Sequence, residues 1–261
     1  MNRRVLVTGA TSGLGKELAV QLARRGWKVA LTGRRQAQLD EAAAAVKAAG
    51  GTALALLGTT SDAAVVKDHY ARIRKEWGGL DWAILNAGVG GRMDAKAFEA
   101  KSVVDTFEIN VFGVAYWMEA VLPDMVAAGS GTVAAVSSLA GYRGFPATGP
   151  YSASKAAVST LLESARVDLL GTGVRVVTLC PGFVKSELTD RNDAKQMPFL
   201  LETEDGVRRI IEGVEAGRRV VHFPWQLSLF VIYVLHNLPG WFYDRISARL
   251  RRSKRPPAQQ P

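Results

Sequence analysis

The 261 residues are 48% hydrophobic and 22% charged, the proportions of a chain that folds rather than one that stays disordered. That length excludes fibres and disulfide mini-scaffolds and allows one large domain or two small ones. The formal charge of +9 is local: Arg245, Arg249, Arg251, Arg252, Lys254 and Arg255 lie in a stretch without acids, leaving 27 of the 33 basic residues against 24 acidic ones, so no cationic groove for nucleic acid is implied.

The first apolar run, Val5 to Thr8, reads as a strand and is far shorter than the core of a signal peptide. It leads through Thr8-Gly9-Ala10-Thr11-Ser12-Gly13-Leu14-Gly15 into an amphipathic helix over Leu14 to Arg25. Strand, glycine-rich turn and helix is the order in which backbone N–H groups and a positive helix end hold a pyrophosphate. Gly9 suits the tight turn, Gly13 the approach of backbone to phosphate, and Gly15 close packing of helix on strand.

A second strand, Val29 to Thr32, ends in Thr32-Gly33-Arg34-Arg35. A carboxylate there would bind a free ribose 2'-hydroxyl; Arg34 and Arg35 suit a 2'-phosphate and so favour NADP(H) over NAD(H), unless they are a solvated helix start. Helices are expected over Gln36 to Ala49, Asp62 to Trp77, Ser102 to Ala128 and Tyr151 to Leu170. Between them come strands at Thr52 to Leu57, Trp82 to Leu85, Thr132 to Val136, Val174 to Leu179 and Arg219 to Phe223. Strands apolar on both faces and joined by helices require a parallel sheet covered on both sides: a doubly wound, Rossmann-like α/β fold of about seven strands. No linker or internal repeat divides it, so residues 1–252 form one domain, 225–252 a helical extension and 253–261 a tail.

Tyr151 and Lys155, four apart near a helix start, share one face. A tyrosine of pKa about 10 is a poor base near neutrality, and a nearby ammonium would favour its phenolate. Ser137 and Ser138 end the fifth strand, where open α/β sheets place ligands, and a hydroxyl there can bond a substrate oxygen. Together with the phosphate turn, Asn86-Ala87-Gly88, Asn110 and Pro181-Gly182, these residues follow the order and spacing of the short-chain dehydrogenases/reductases, which residues 3–223 resemble.

The resemblance implies an oxidoreductase interconverting a ketone or aldehyde and an alcohol, with Tyr151 as proton donor or acceptor and Lys155 lowering the tyrosine pKa and binding the nicotinamide ribose. It implies that Ser138 polarises the carbonyl, that Asn110 holds a water, and that Val184 and Ser186 close over the nicotinamide. Ala87 and Gly88 would lie beside the cofactor with Asn86. Two positions depart from the family pattern: Thr59 stands where many relatives carry an adenine-facing aspartate, and Ser12 where NADP users often carry a basic residue. The alternative is a dinucleotide-binding regulatory protein without turnover, which has no need of Asn110, Ser138, Tyr151 and Lys155 together.

Tyr142, Phe145, Pro146, Phe183, Met197, Pro198 and Phe199 fall in segments that in this family form the substrate pocket and its lid, implying a small apolar carbonyl or alcohol. The family also implies a homo-oligomer through the helices at 102–128 and 151–170. Cys180, the only cysteine, reads as a buried packing thiol in a reducing, cytoplasmic compartment, and His69, His222 and His236 lack metal-ligand spacing. Residues 225–238 are almost wholly apolar, and after Pro239-Gly240 aromatics and arginines alternate at helical spacing. This segment either packs over the pocket or a neighbouring subunit, or lies peripherally on the inner face of an anionic membrane; the run Leu227 to Leu235 is too short to span one.

Overall fold

Seven runs of both-face apolar sequence become seven parallel strands: β1 (Arg4–Val7), β2 (Lys28–Gly33), β3 (Thr52–Leu57), β4 (Trp82–Leu85), β5 (Gly131–Val136), β6 (Val174–Pro181) and β7 (Val220–Phe223), ordered β3-β2-β1-β4-β5-β6-β7. This computed structural model describes residues 3–190, 195 and 197–252, with side chains as far as residue 248. The tail expected from residue 253 lies outside the described residues.

Alternation along each strand divides the core into two layers. Val5 and Val7 of β1 face Leu18 and Leu22 of α1 (Gly13–Arg24), Leu39 and Val46 of α2 (Gln36–Ala48), and Val207, Ile210 and Val214 of α7 (Thr203–Glu215). Leu6, between them, faces Val66 and Ile73 of α3 (Ala63–Trp77), Trp117 and Val121 of α5 (Gly113–Ala127), and Val158 and Leu162 of α6 (Gly149–Asp168). Fully burying a side chain such as Leu22 or Leu162 stabilises the fold by about 2 to 3 kcal/mol. The sequence reading omits α7, although Val207, Ile210, Ile211 and Val214 follow helical spacing and Glu204 and Asp205 suit the positive end of its first turn.

The helix expected over Ser102 to Ala128 is continuous but not uniform: α4 (Ala100–Phe107) passes through one π-helical turn, Glu108–Phe112, into α5. Such turns frequently mark functional positions, and Asn110 lies inside this one. Asp62 starts α3 by accepting from the Ala64 and Val65 amides, and left-handed Gly78 ends it. Trp27 and Trp82 pack together at 4.4 Å between ring centroids.

Strand order reverses between β1 and β4, whose registers match Val7 to Ile84. The crevice at the carboxyl ends of these strands is where this architecture takes ligands. Beyond β7, α8 (Trp225–Leu229) runs into a π-helical stretch, Phe230–Leu235, and α9 (Gly240–Arg252) follows. No described helix is long and apolar enough to cross a membrane.

Candidate active site

The turn after β1 is built to expose amides. Gly9 and Gly13 hold φ of +64° and +51°, and a Cβ on Gly15 would meet the Gly9 carbonyl oxygen at 2.2 Å. Ser12 begins α1 in extended geometry without a side-chain cap, so the first amides of the helix, from Gly13 through Leu14 and Gly15, lack a side-chain acceptor. The turn is pinned across the switch point: Asn86 Nδ2 donates to the carbonyls of Thr8 and Gly9 at 3.0 and 3.3 Å, while the Asn86 and Ala87 amides each donate to Thr8 Oγ1 at 3.0 Å.

The two arginines after β2 are not equivalent. Both are exposed, but Arg35 Nη2 donates to Thr11 Oγ1 at 3.1 Å and Ser12 Oγ at 3.0 Å, which sets its guanidinium over the turn. Arg35 also pairs with Glu187 at 3.2 Å, a carboxylate that the sequence reading did not single out. Glu187 belongs to the segment after Pro181-Gly182, which arches over the crevice. A Cβ on Gly13 would lie 3.1 Å from Ser186 Cβ, and one on Gly90 would lie 2.9 Å from Leu188 Cδ1. Val184 is buried, and Thr189 Oγ1 ties the arch by donating to the Val184 carbonyl and accepting from the Ser186 amide.

At the end of β5 the two serines have different tasks. Ser137 is fully buried; its Oγ donates to the Lys155 carbonyl at 2.8 Å and lies 2.7 Å from Ser159 Oγ, fastening α6 to the sheet. Ser138 sits at the edge, accepts from the Ala140 amide and contacts the Pro181 carbonyl at 3.4 Å. Lys155, 3% exposed, donates from Nζ to the Val136 carbonyl at 2.6 Å and lies 5.6 Å from the centre of the Tyr151 ring. Burial depresses its pKa to about 8.

Tyr151 keeps part of its surface open, yet desolvation raises its phenol above the ordinary 10, opposed by a hydrogen bond with Ser138. The expected lowering of this pKa by Lys155 is therefore not seen in the chain by itself: the ammonium is engaged by the Val136 carbonyl, and desolvation dominates. Asn110 is held by three side-chain bonds. Its Oδ1 accepts from the Val89 amide at 2.8 Å, and its Nδ2 donates to the Val89 carbonyl at 3.0 Å and Ser154 Oγ at 2.9 Å, so its side chain fastens the loop after β4 to α6. Ser154 in turn donates to the Tyr151 carbonyl at 2.8 Å. Gly88 lies between the two polar groups, since a Cβ there would come within 3.3 Å of both Asn110 Oδ1 and Lys155 Nζ.

These groups converge on one sheet edge. The family model for short chain dehydrogenase matches residues 3–197. The chain belongs to the short-chain dehydrogenase/reductase family. Within it, an uncharacterized oxidoreductase of Myxococcus xanthus (strain DK1622) is 45% identical over 249 residues, covering 95% of this chain and 98% of that protein. Two solved structures share the fold at 24% identity, each covering 99% of this chain and 98% of its own: a short chain dehydrogenase/reductase from Burkholderia phymatum in complex with NAD (TM-score 0.81), and a short-chain dehydrogenase from Sphingobium yanoikuyae in complex with NADPH (TM-score 0.79).

For this short-chain dehydrogenase/reductase, two groupings escaped the sequence reading. Tyr142, expected in the substrate pocket, bonds His222 Nε2 through its hydroxyl at 2.7 Å, and its carbonyl bonds His236 Nδ1 at 2.7 Å. The sequence separations of 80 and 94 residues hide this contact. Burial pushes the Tyr142 phenol up to about 12 and lowers His222. Cys180 is 1% exposed with its thiol raised to about 11, a packing group rather than a nucleophile. Among the other expected pocket residues Met197 is buried and Phe199 is exposed. Thr59, standing where many relatives carry an aspartate, bonds Ser61 Oγ at 2.7 Å.

Proposed function

We propose that this family member is an NADP(H)-dependent oxidoreductase that interconverts a ketone or aldehyde and an alcohol. One observation carries the reading: a side-chain-uncapped glycine turn with an arginine over it shares a crevice with Ser138, Tyr151 and Lys155. The donor set fits a phosphorylated dinucleotide. The amides from Thr11 to Gly15 would hold the pyrophosphate, and Arg35, with Arg34 beside it, the 2'-phosphate. Asn86, Ala87 and Gly88 would wall the nicotinamide side, and Pro181, Gly182, Val184 and Ser186 would close over it. The two fold relatives bind NAD and NADPH respectively, so the preference rests on Arg35 and not on the fold.

When bound, the nicotinamide supplies or accepts a hydride at the carbonyl carbon. The Ser138 hydroxyl donates to the substrate oxygen, and Tyr151 delivers its proton to that oxygen in reduction and takes it back in oxidation. Lys155 holds its ammonium beside Gly88 to bond the ribose hydroxyls and favour the phenolate as the local charge balance changes. Asn110 keeps Val89 and Ser154 in place and so fixes the start of α6; any relay water falls to backbone groups of its π turn. Leu139, Phe145, Phe183 and Met197 would favour an apolar substrate.

The same reading includes self-association through α4 to α6, which expose Val104, Phe112 and Val167, with Leu170 exposed in the turn that follows. Purified protein incubated with NADPH and a panel of apolar ketones and aldehydes tests the activity by loss of reduced-cofactor absorbance. The reading expects turnover with NADPH in preference to NADH; equal affinity for both cofactors by titration calorimetry would remove the NADP assignment. A single sedimenting monomer at micromolar concentration would remove the oligomer.

A further inference from the structure

Residues 225–242 carry a surface that neither the crevice nor the family core uses. Among the described residues, seven of the sixteen exposed large hydrophobic side chains lie in this short segment: Trp225, Leu229, Phe230, Tyr233, Val234, Trp241 and Phe242. The helix over 225–235 has two apolar faces. Leu227, Val231 and Leu235 turn inward, against a cluster with Leu139, Cys180 and Tyr142. Trp225, Leu229, Phe230, Tyr233 and Val234 turn outward, with Trp225 63% and Tyr233 70% exposed. An all-round apolar helix is ordinarily covered on every side, so the outward face calls for an occupant.

The segment is also fixed to the body. Tyr243 is buried and its hydroxyl donates to the Gly144 carbonyl at 2.7 Å; the Arg143 guanidinium lies 4.3 Å over its ring and bonds the His236 carbonyl. The outward aromatics are thus held on a supported helix rather than on a loose loop.

Charge selects the occupant. Residues 225–243 contain no Asp, Glu, Lys or Arg, and from 244 onward the sequence has Arg245, Arg249, Arg251, Arg252, Lys254 and Arg255 against the single acid Asp244. Arg245 stacks at 5.6 Å over exposed Trp241, joining the two parts. A second copy docking through this face about a two-fold axis would present the same patch again, and that patch carries no acid but Asp244 to meet the cations. Apolar and aromatic side chains beside a run of cations match an anionic bilayer surface, where Trp and Tyr settle at the headgroups and basic residues meet lipid phosphates and carboxylates. We infer that the outer face of 225–242, with the basic residues of α9 after it, docks the protein peripherally on anionic lipid. The inner face of the same helix packs on Leu139 and Cys180, so the docked surface directly backs the chain that follows Ser138.

The test uses the full chain and vesicles of phosphatidylcholine with or without phosphatidylserine. Co-sedimentation at low salt is expected with the phosphatidylserine vesicles and not with phosphatidylcholine alone. Replacing Arg245, Arg249, Arg251 and Arg252 of α9 by Gln should weaken it by at least about 100-fold, since each cation near such a surface contributes roughly fivefold. The outer-face pair Phe230→Ser and Tyr233→Ser should also release the protein, with cofactor affinity and melting temperature unchanged as the folding control. Absence of vesicle binding, or binding indifferent to both sets of substitutions, overturns the inference. So does concentration-dependent self-association abolished by the Phe230 and Tyr233 changes, which would assign the face to a second copy.

Discussion

Helix α6 and the helix over 225–235 invert one another. The first buries Ser152, Ser154 and Lys155, polar groups normally found outside, and partners the latter two with Asn110, the Tyr151 carbonyl and the Val136 carbonyl. The second exposes Trp225, Phe230 and Tyr233, groups normally found inside, with no cover for them among the described residues. Buried polarity is costly unless it is bonded, and it persists where chemistry is arranged; exposed apolarity persists where another surface covers it. The two departures from ordinary partitioning therefore mark two different tasks on the same molecule.

The largest effect that sharpens this contrast lies at the polar site. Ser138→Ala should lower kcat about 100-fold or more without shifting cofactor affinity, as steady-state kinetics and calorimetry would show, because it removes the donor proposed for the substrate oxygen. Next comes Lys155, whose pKa is about 8 in the folded chain against 10.5 ordinarily. The burial cost of its charge is fully present below about pH 8 and is relieved as pH rises toward 10.5. Denaturant unfolding should therefore show the native protein gaining about 3 kcal/mol on Lys155→Met across that window. No gain would mean that the ammonium is better solvated than its 3% exposure indicates.

Arg35→Ala should cost NADPH binding roughly 1.5 to 3 kcal/mol and leave NADH nearly untouched. Glu187 already pairs with Arg35 and has to yield to a 2'-phosphate, so the preference in the native protein falls toward the lower end of that range. The smallest pair tests the apolar helix itself. Val231→Ala, on the inner face and 4% exposed, should cost about 2 kcal/mol of stability, whereas Tyr233→Ser, on the outer face, should stay within about 0.5 kcal/mol. Equal costs at the two positions would mean that the outward face is covered within the chain.

Much of this was legible from the residues alone, for stated reasons. The strands declare themselves because parallel sheets buried on both faces require unbroken apolar runs, as at Trp82–Leu85. The phosphate turn is legible because its glycines answer local geometric demands that any reader of the sequence can apply, and Gly13 and Gly15 meet them. Helix α7 is legible too: its Val207, Ile210, Ile211 and Val214 stripe lies in the stretch left unassigned between Phe199 and the strand at Arg219. Other features depend on distance in the chain. The Arg35 to Glu187 pair spans 152 residues and Tyr142 to His222 spans 80, and no periodicity links such partners. The side-chain role of Asn110 turned on a π turn, which leaves no compositional trace, and the Tyr151 pKa turned on burial that only packing reveals.

The most direct test of the central claim is Tyr151→Phe, measured for NADPH-dependent carbonyl reduction and for NADPH affinity on the same preparation. The account predicts that turnover falls by 100-fold or more while the dissociation constant stays within about twofold, because the phenol acts on the substrate oxygen and the dinucleotide is held elsewhere. A variant that keeps more than about a tenth of kcat would contradict it and place the proton source at another group.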